Sequence, residues 1–257
     1  MNTEKGSKIN QLLQSQPKGV VFLASWLSQN GYSFDLQKRY RKSNWLQSIG
    51  TGAMIRTGDI VTYEGALYAL QQQGTSSIHP GGKTALSLLG KTHYLELSTK
   101  RVTLFGGKGE NLPIWFQNYD WGIEFNHYQS GFLPKDFGLT QIESKNFILK
   151  VSNAARALME CLYVTPKYQN LFECYELMEG LNNLRPGEVQ KLLEACKSVK
   201  VKRLFLFLAD KADHGWLKHL DVSKIDLGKG KRSIVTGGIY IPKYQITVNR
   251  ELGPKDE

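Results

Sequence analysis

The chain has 257 residues, 41% of them hydrophobic and 22% charged, with three cysteines. That length holds one large domain or two ordinary ones with true cores, which excludes a small disulfide-stapled scaffold. Thirty-three Lys and Arg against 23 Asp and Glu leave a formal charge of +10, a balance that favours a polyanionic partner, with nucleic acid first among them.

The charge is uneven. Residues 1–56 carry Lys5, Lys8, Lys18, Lys38, Arg39, Arg41, Lys42 and Arg56 against Glu4 and Asp35. Cys161, Cys174 and Cys196 are odd in number and widely spaced, with no C-x-x-C pair, so they read as reduced, buried thiols rather than a disulfide framework or zinc ribbon. The polar start and the lack of any apolar run approaching the about 18 residues of a membrane span point to a soluble cytoplasmic protein.

In chain order, residues 8–16, with Ile9, Leu12 and Leu13, predict a first helix. Val21, Leu23, Ala24 and Leu27 form the apolar stripe of the next, Asn30-Gly31 breaks it, and Ser33 sits where an N-cap opens another. That helix, residues 34–44, sets Leu36 and Tyr40 on one face while Lys38, Arg39, Arg41 and Lys42 crowd the rest. Asp35 alone offsets them, in the first turn, where the macrodipole favours an anion. Trp45-Leu46, Ile49 and Ala53-Met54-Ile55-Arg56 then flank a Gly50-Thr51-Gly52 turn, as in a winged helix. A helix of this kind fits the major groove. Ser33 would cap it, Gln37, Lys38, Arg39, Arg41 and Lys42 would contact bases or phosphates, and Arg56 would anchor the wing. Charges on a surface helix also serve simply as a solvated face, but turn, cap, one-sided charge and wing all agree on DNA.

Residues 62–73 predict a helix around Ala66, Leu67, Ala69 and Leu70, residues 74–77 a loop, and Ala85, Leu86 and Leu89 a helix closed by Gly90 as C-cap glycine. The first domain is expected to end there, giving units 1–92 and 93–257. Strands are expected at 94–97, 101–105, 114–116, 122–125 and 147–151. Helices follow at 154–162 after Ser152 or Asn153 as cap, at 171–179, at 186–198 behind Pro186, at 201–209 and at 216–219. Residues 234–235, 239–241 and 244–248 close the chain as strands. The expected class is α+β: an N-terminal winged helix-turn-helix domain and a larger mixed α/β C-terminal domain.

Gly81-Gly82-Lys83-Thr84 invites comparison with a phosphate-binding loop, which requires a Gly five residues before Gly82; Ser77 stands there, and no hydrophobic strand precedes it. The glycines read instead as the approach to a helix. Apart from Asp213-His214 and the five-residue gap to His219, the five histidines lack metal-ligand spacing with acidic companions, no Gly-x-Ser-x-Gly elbow occurs, and Cys161 falls on an apolar helix face, so no catalytic constellation, cofactor or metal is indicated. Lys197, Lys200, Lys202 and Arg203, with further lysines to Arg232, form a second basic zone. It reads equally as a solvated helix exterior or as a surface where Lys200, Lys202 and Arg203 add phosphate contacts.

Several blocks together resemble the AbiEi antitoxins: Tyr40-Arg41-Lys42-Ser43 with Trp45-Leu46, Gly65-Ala66-Leu67-Tyr68-Ala69-Leu70-Gln71, Ile78-His79-Pro80-Gly81-Gly82-Lys83-Thr84, Glu176-Leu177-Met178-Glu179-Gly180-Leu181 and Lys243-Tyr244-Gln245-Ile246-Thr247-Val248. Met54 departs from the pattern, standing where an aromatic is commoner in the wing. The resemblance implies a bacterial type IV toxin-antitoxin antitoxin from an abortive-infection phage-defence module. Such a protein represses its own operon by binding inverted repeats in double-stranded promoter DNA, as a monomer or weak dimer cooperating on DNA. It counters a nucleotidyltransferase toxin without a stable complex. DNA binding is also read from the residues; the antitoxin role rests on the resemblance. A nucleic-acid-processing enzyme and a toxin-binding interaction module are the alternatives from other classes.

Overall fold

The computed structural model describes residues 7–91 and 101–253. Helix α1 (Lys8–Ser15) buries Ile9 and Leu12. The apolar run that follows divides: Val21, Phe22 and Leu23 are all buried and form strand β1 (Val21–Leu23), and only then does α2 (Ala24–Gln29) begin. The helix expected from Val21 therefore starts late, because contiguous Val and Phe side chains covered on both faces suit a pleated strand. After Gly31, at φ +83°, comes α3 (Phe34–Lys42), and Asn44 in the left-handed region terminates it. Strands β2 (Leu46–Gly50) and β3 (Ala53–Arg56) form a hairpin, and the three strands pair antiparallel in the order β1-β3-β2. Phe22, Leu27, Tyr32, Tyr40, Leu46 and Met54 fill the core beneath, with Ile9 and Leu12 closing it.

Helix α4 (Tyr63–Tyr68) runs on into a wider π-type turn, Ala69–Gln73. The Gln73 side chain accepts from Leu23 N and donates to Val21 O, both at 2.8 Å, so an amide completes the open edge of β1. Gln71 does the same for Lys150, accepting from its N at 2.9 Å and donating to its O at 3.0 Å. Strand β4 (His79–Pro80), two residues between the expected loop and the helix after it, precedes α5 (Gly82–Leu88), after which Gly90 takes the expected left-handed conformation at φ +65°. The strand expected at 94–97 lies outside the described residues.

Strand β5 (Arg101–Gly106) pairs antiparallel with β4. Residues expected as a strand form α6 (Ile114–Asn118), behind Pro113, whose carbonyl accepts from Phe116 N and Gln117 N. Trp115 and Phe116 are buried side by side, which a one-turn helix allows and a strand covered on one face does not. β6 (Glu124–Gln129) runs parallel to β5, and β7 (Leu139–Ser144), which no local signal foretold, makes a hairpin with β8 (Phe147–Ser152). The helices α7 (Ala154–Val164, capped by Asn153), α8 (Leu171–Glu179), α9 (Pro186–Ala195) and α10 (Val199–Lys211) follow. A small sheet of β9 (Arg232–Ser233), β10 (Ile239–Ile241) and β11 (Ile246–Val248), ordered β10-β11-β9, closes the fold.

The class is α+β, as expected. Ala85 and Leu86 of α5 belong to the main core around α7 and α10, while Ala66 and Leu67 of α4 share a second core with Val102, Phe116, Leu149 and Val151. Side chains from both sides of the expected 92/93 boundary thus interleave.

Candidate nucleic-acid interface

The turn between α2 and α3 is held by short-range backbone hydrogen bonds and by one side-chain bond from α1. Asn30 N donates to Trp26 O, Tyr32 N to Leu27 O, and Lys8 Nζ reaches Gly31 O at 2.9 Å. Ser33 is the N-cap, its Oγ accepting from Leu36 N at 3.4 Å. Helix α3 turns Leu36, Gln37 and Tyr40 inward. Gln37 is only 2% exposed, and its Nε2 faces Tyr32 O at 2.7 Å, Ser28 Oγ at 3.0 Å and Ala24 O at 3.1 Å. The expectation that Gln37 contacts DNA is corrected: its amide clamps α3 onto α2.

The opposite side of α3 shows Phe34, Asp35, Lys38, Arg39, Arg41 and Lys42 to solvent. No hydrogen bond or ion pair is made by the four cations among the described residues. At about 100° per residue, Phe34 falls between Lys38 and Arg41 on the helical wheel. Its side chain is 69% exposed. Sequence reasoning passed over Phe34, although its distance from the Leu36–Tyr40 face was there to be counted.

The hairpin after α3 exposes Gln47, Ser48 and Thr51, all uncharged. Gly50 (φ +144°) leaves no room for a side chain: a Cβ there would sit 2.7 Å from Trp115 Cβ, so the hairpin packs on α6. Arg56 does not reach outward as expected. Its Nη2 donates to Leu13 O at 2.7 Å and to Gln16 O at 3.4 Å, and Asp59 lies 3.9 Å from Nε. It ties β3 to the end of α1, where helix carbonyls lack intrahelical partners.

The second basic zone is also redrawn. Lys202 and Arg203 are buried in α10, at 4% and 2% exposure. The Arg203 guanidinium donates to the carbonyls of Leu227 (2.8 Å), Gly228 (3.1 Å), Gly230 (2.6 Å) and Gln245 (3.1 Å), holding the segment around 227–245 against the helix. Lys200 Nζ donates to Tyr163 O and Thr165 O at 2.7 and 2.6 Å, and burial lowers its pKa. Lys200 and Arg203 are thus spent on backbone carbonyls, of which, among the described residues, Gln245 O alone has a second donor, the Arg232 N–H, and Lys202 is enclosed in the helix packing.

One buried polar centre has no forecast in the sequence. Glu160 on α7 is fully buried and accepts from Ser152 Oγ (2.7 Å), Arg156 Nε (2.8 Å) and Gly82 N (2.9 Å), with His79 Nε2 at 3.2 Å. Burial alone would raise its pKa, but hydrogen bonds and charge from His79 and Arg156 overcome this and hold it below the ordinary carboxyl range. The Gly81-Gly82 pair serves this centre. A Cβ at Gly81 would overlap the Glu160 carboxylate and stand 2.7 Å from Phe105 Cδ2. A cleft of about 940 Å³ over α5 and β5 is lined by Lys83, which pairs with Glu173, by Arg101, which pairs with Glu124 at 2.5 Å, and by Lys91, whose Nζ lies 3.4 Å from Asn183 Oδ1. Burial raises all three cysteine thiols, Cys174 to about 12, which makes them packing groups rather than nucleophiles. Among the described residues no three His, Cys, Asp or Glu side chains are grouped to hold a metal, and no helix is long and apolar enough to cross a membrane.

Residues 5–97 match the family described as "Transcriptional regulator, AbiEi antitoxin N-terminal domain", and residues 99–249 match that described as "Transcriptional regulator, AbiEi antitoxin, Type IV TA system". Among curated proteins none matches the chain. The crystal structure of RV2827C protein from Mycobacterium tuberculosis is similar over 93% of this chain and 88% of that one, with a TM-score of 0.55 and 14% identity, a likeness of fold alone.

Proposed function

Because the chain belongs to the AbiEi family of antitoxin transcriptional regulators of type IV toxin-antitoxin systems, we propose that residues 8–56 are a winged helix-turn-helix that binds duplex DNA through α3. The observation that carries this reading is the exposed face of α3, where Lys38, Arg39, Arg41 and Lys42 make no hydrogen bond or ion pair among the described residues. Gln37 and Tyr40 hold the opposite face rigidly, so the cations are presented at fixed spacing. Fixed cations at the groove edge neutralise phosphates and release counterions, and a subset reads guanine edges. The uncharged hairpin lies beside them and contributes hydroxyl and amide contacts from Gln47, Ser48 and Thr51.

On this reading the chain sits on inverted repeats of its own promoter and represses it in the cytoplasm. The larger unit beyond residue 92 is the part that counters a nucleotidyltransferase toxin, without forming a stable complex with it, in phage defence by abortive infection. The test is a titration of the full chain against its own promoter duplex and a scrambled duplex of equal length, at several salt concentrations. A large preference for the promoter is expected. Equal and steeply salt-dependent binding to both duplexes would reduce the basic face to general phosphate affinity and sink the repressor reading.

A further inference from the structure

We infer that Phe34 reads the C5-methyl group of a thymine in the major groove and so sets part of the operator sequence; this rests on the DNA-binding reading above. A single exposed apolar side chain is ordinary on a protein surface. Three features set this one apart. Phe34 is the first residue of α3, and in helix-turn-helix proteins the N-terminal residues of this helix approach the base edges. It is 69% exposed and flanked on the wheel by Lys38 and Arg41, so any polyanion those cations hold also covers the phenyl ring. And Gln37, the one amide of α3, is committed to Tyr32, Ser28 and Ala24, which removes the side chain that would otherwise pair with adenine N6 and N7.

What α3 leaves exposed then has a limited vocabulary. Lys and Arg donate to the paired acceptors O6 and N7 of guanine, or singly to adenine N7 or thymine O4, and Asp35 accepts from cytosine N4. A phenyl ring neither donates nor accepts, and the base-edge group in the major groove that suits it is the thymine methyl. Reading the methyl group of an A·T pair by α3 therefore falls to Phe34.

The experiment compares the chain's promoter duplex with the same duplex carrying deoxyuridine in place of every thymine, which keeps base pairing and the O4 acceptor and deletes only the methyl groups. The unmodified chain is expected to lose about fourfold in affinity for each contacted methyl, the worth of one buried methyl group. Phe34→Ala should bind the thymine duplex more weakly and show no further loss on deoxyuridine, while Phe34→Leu, which keeps an apolar tip, should retain part of the discrimination. Promoter-specific binding that ignores deoxyuridine, or an equal loss in the unmodified chain and Phe34→Ala, would overturn the inference while leaving the DNA-binding reading standing. No preference for promoter over scrambled duplex would overturn both.

Discussion

Glu160→Gln is the most informative test of how this fold is held. The substitution keeps shape and removes a buried charge that faces Arg156, His79, Ser152 and Gly82 N. An amide presents one oxygen and one NH₂, so it cannot accept from all four. If its oxygen stays on Arg156, its NH₂ points at the Gly82 N–H, donor against donor, and Ser152 must rotate to accept. Stranding a buried cation by removing its partner costs about 3–5 kcal/mol. Arg156 Nη1 keeps the carbonyls of Pro134, Lys135 and Phe137 at 2.9, 3.2 and 2.5 Å, which places the expected loss near the lower end, about 3 kcal/mol. The assay is urea unfolding of the full chain and of the variant, followed from neutral to acid pH. Because the folded carboxyl is held below the ordinary glutamate value of 4.5, its contribution is fully present above that pH and lost as pH falls through the folded value. The gap between the two proteins should therefore be widest at neutral pH and shrink in acid. A change under about 1 kcal/mol at pH 7, or a gap that acid leaves intact, would show that Glu160 does not anchor this region.

Other substitutions separate the interface from the scaffold. Lys38→Ala combined with Arg41→Ala should leave thermal unfolding unchanged, weaken promoter binding by on the order of 1–3 kcal/mol for each specific base interaction removed, and flatten the salt dependence by about one counterion for each phosphate no longer neutralised; unchanged affinity would remove α3 from the interface. Arg203→Met should do the reverse, lowering stability by about 2–4 kcal/mol because the carbonyls of Leu227, Gly228 and Gly230 are left without their donor, while Gln245 O keeps the Arg232 N–H, with DNA affinity of the folded protein preserved. A fall in affinity at native stability would return Arg203 to the DNA-binding set. Gly81→Ala should destabilise by about 1–3 kcal/mol, since its methyl meets the Glu160 carboxylate and the Phe105 ring; a variant with native unfolding midpoint would mean that this corner yields without cost.

Several elements follow from chemistry within a few residues of one another. The break at Asn30-Gly31, the Ser33 cap, the one-sided charge of α3 and the Gly50-Thr51-Gly52 turn are settled within a few residues of chain, and all appear where local rules place them. Gly90, the Asn153 cap and the amphipathic α8 and α9 are legible for the same reason. Local signals misplaced elements whose state depends on distant partners: β1 is a strand because β3 lies on one edge of it and the Gln73 amide on the other, and β4 exists because β5 supplies its carbonyls and amides.

The tertiary structure alone decided which polar side chains are available to a ligand. Lys38 and Arg203, or Gln37 and Gln47, are indistinguishable as letters in a basic, amphipathic stretch. Gln37 became a clamp because Ala24, Ser28 and Tyr32 converge on it, Arg56 a strut because α1 ends beside it, and Arg203 a tether because carbonyls 24 to 27 residues away needed a donor. A polar group is buried where other segments bring it compensating hydrogen bonds. That sum is made over space, and a reading along the chain has no access to it.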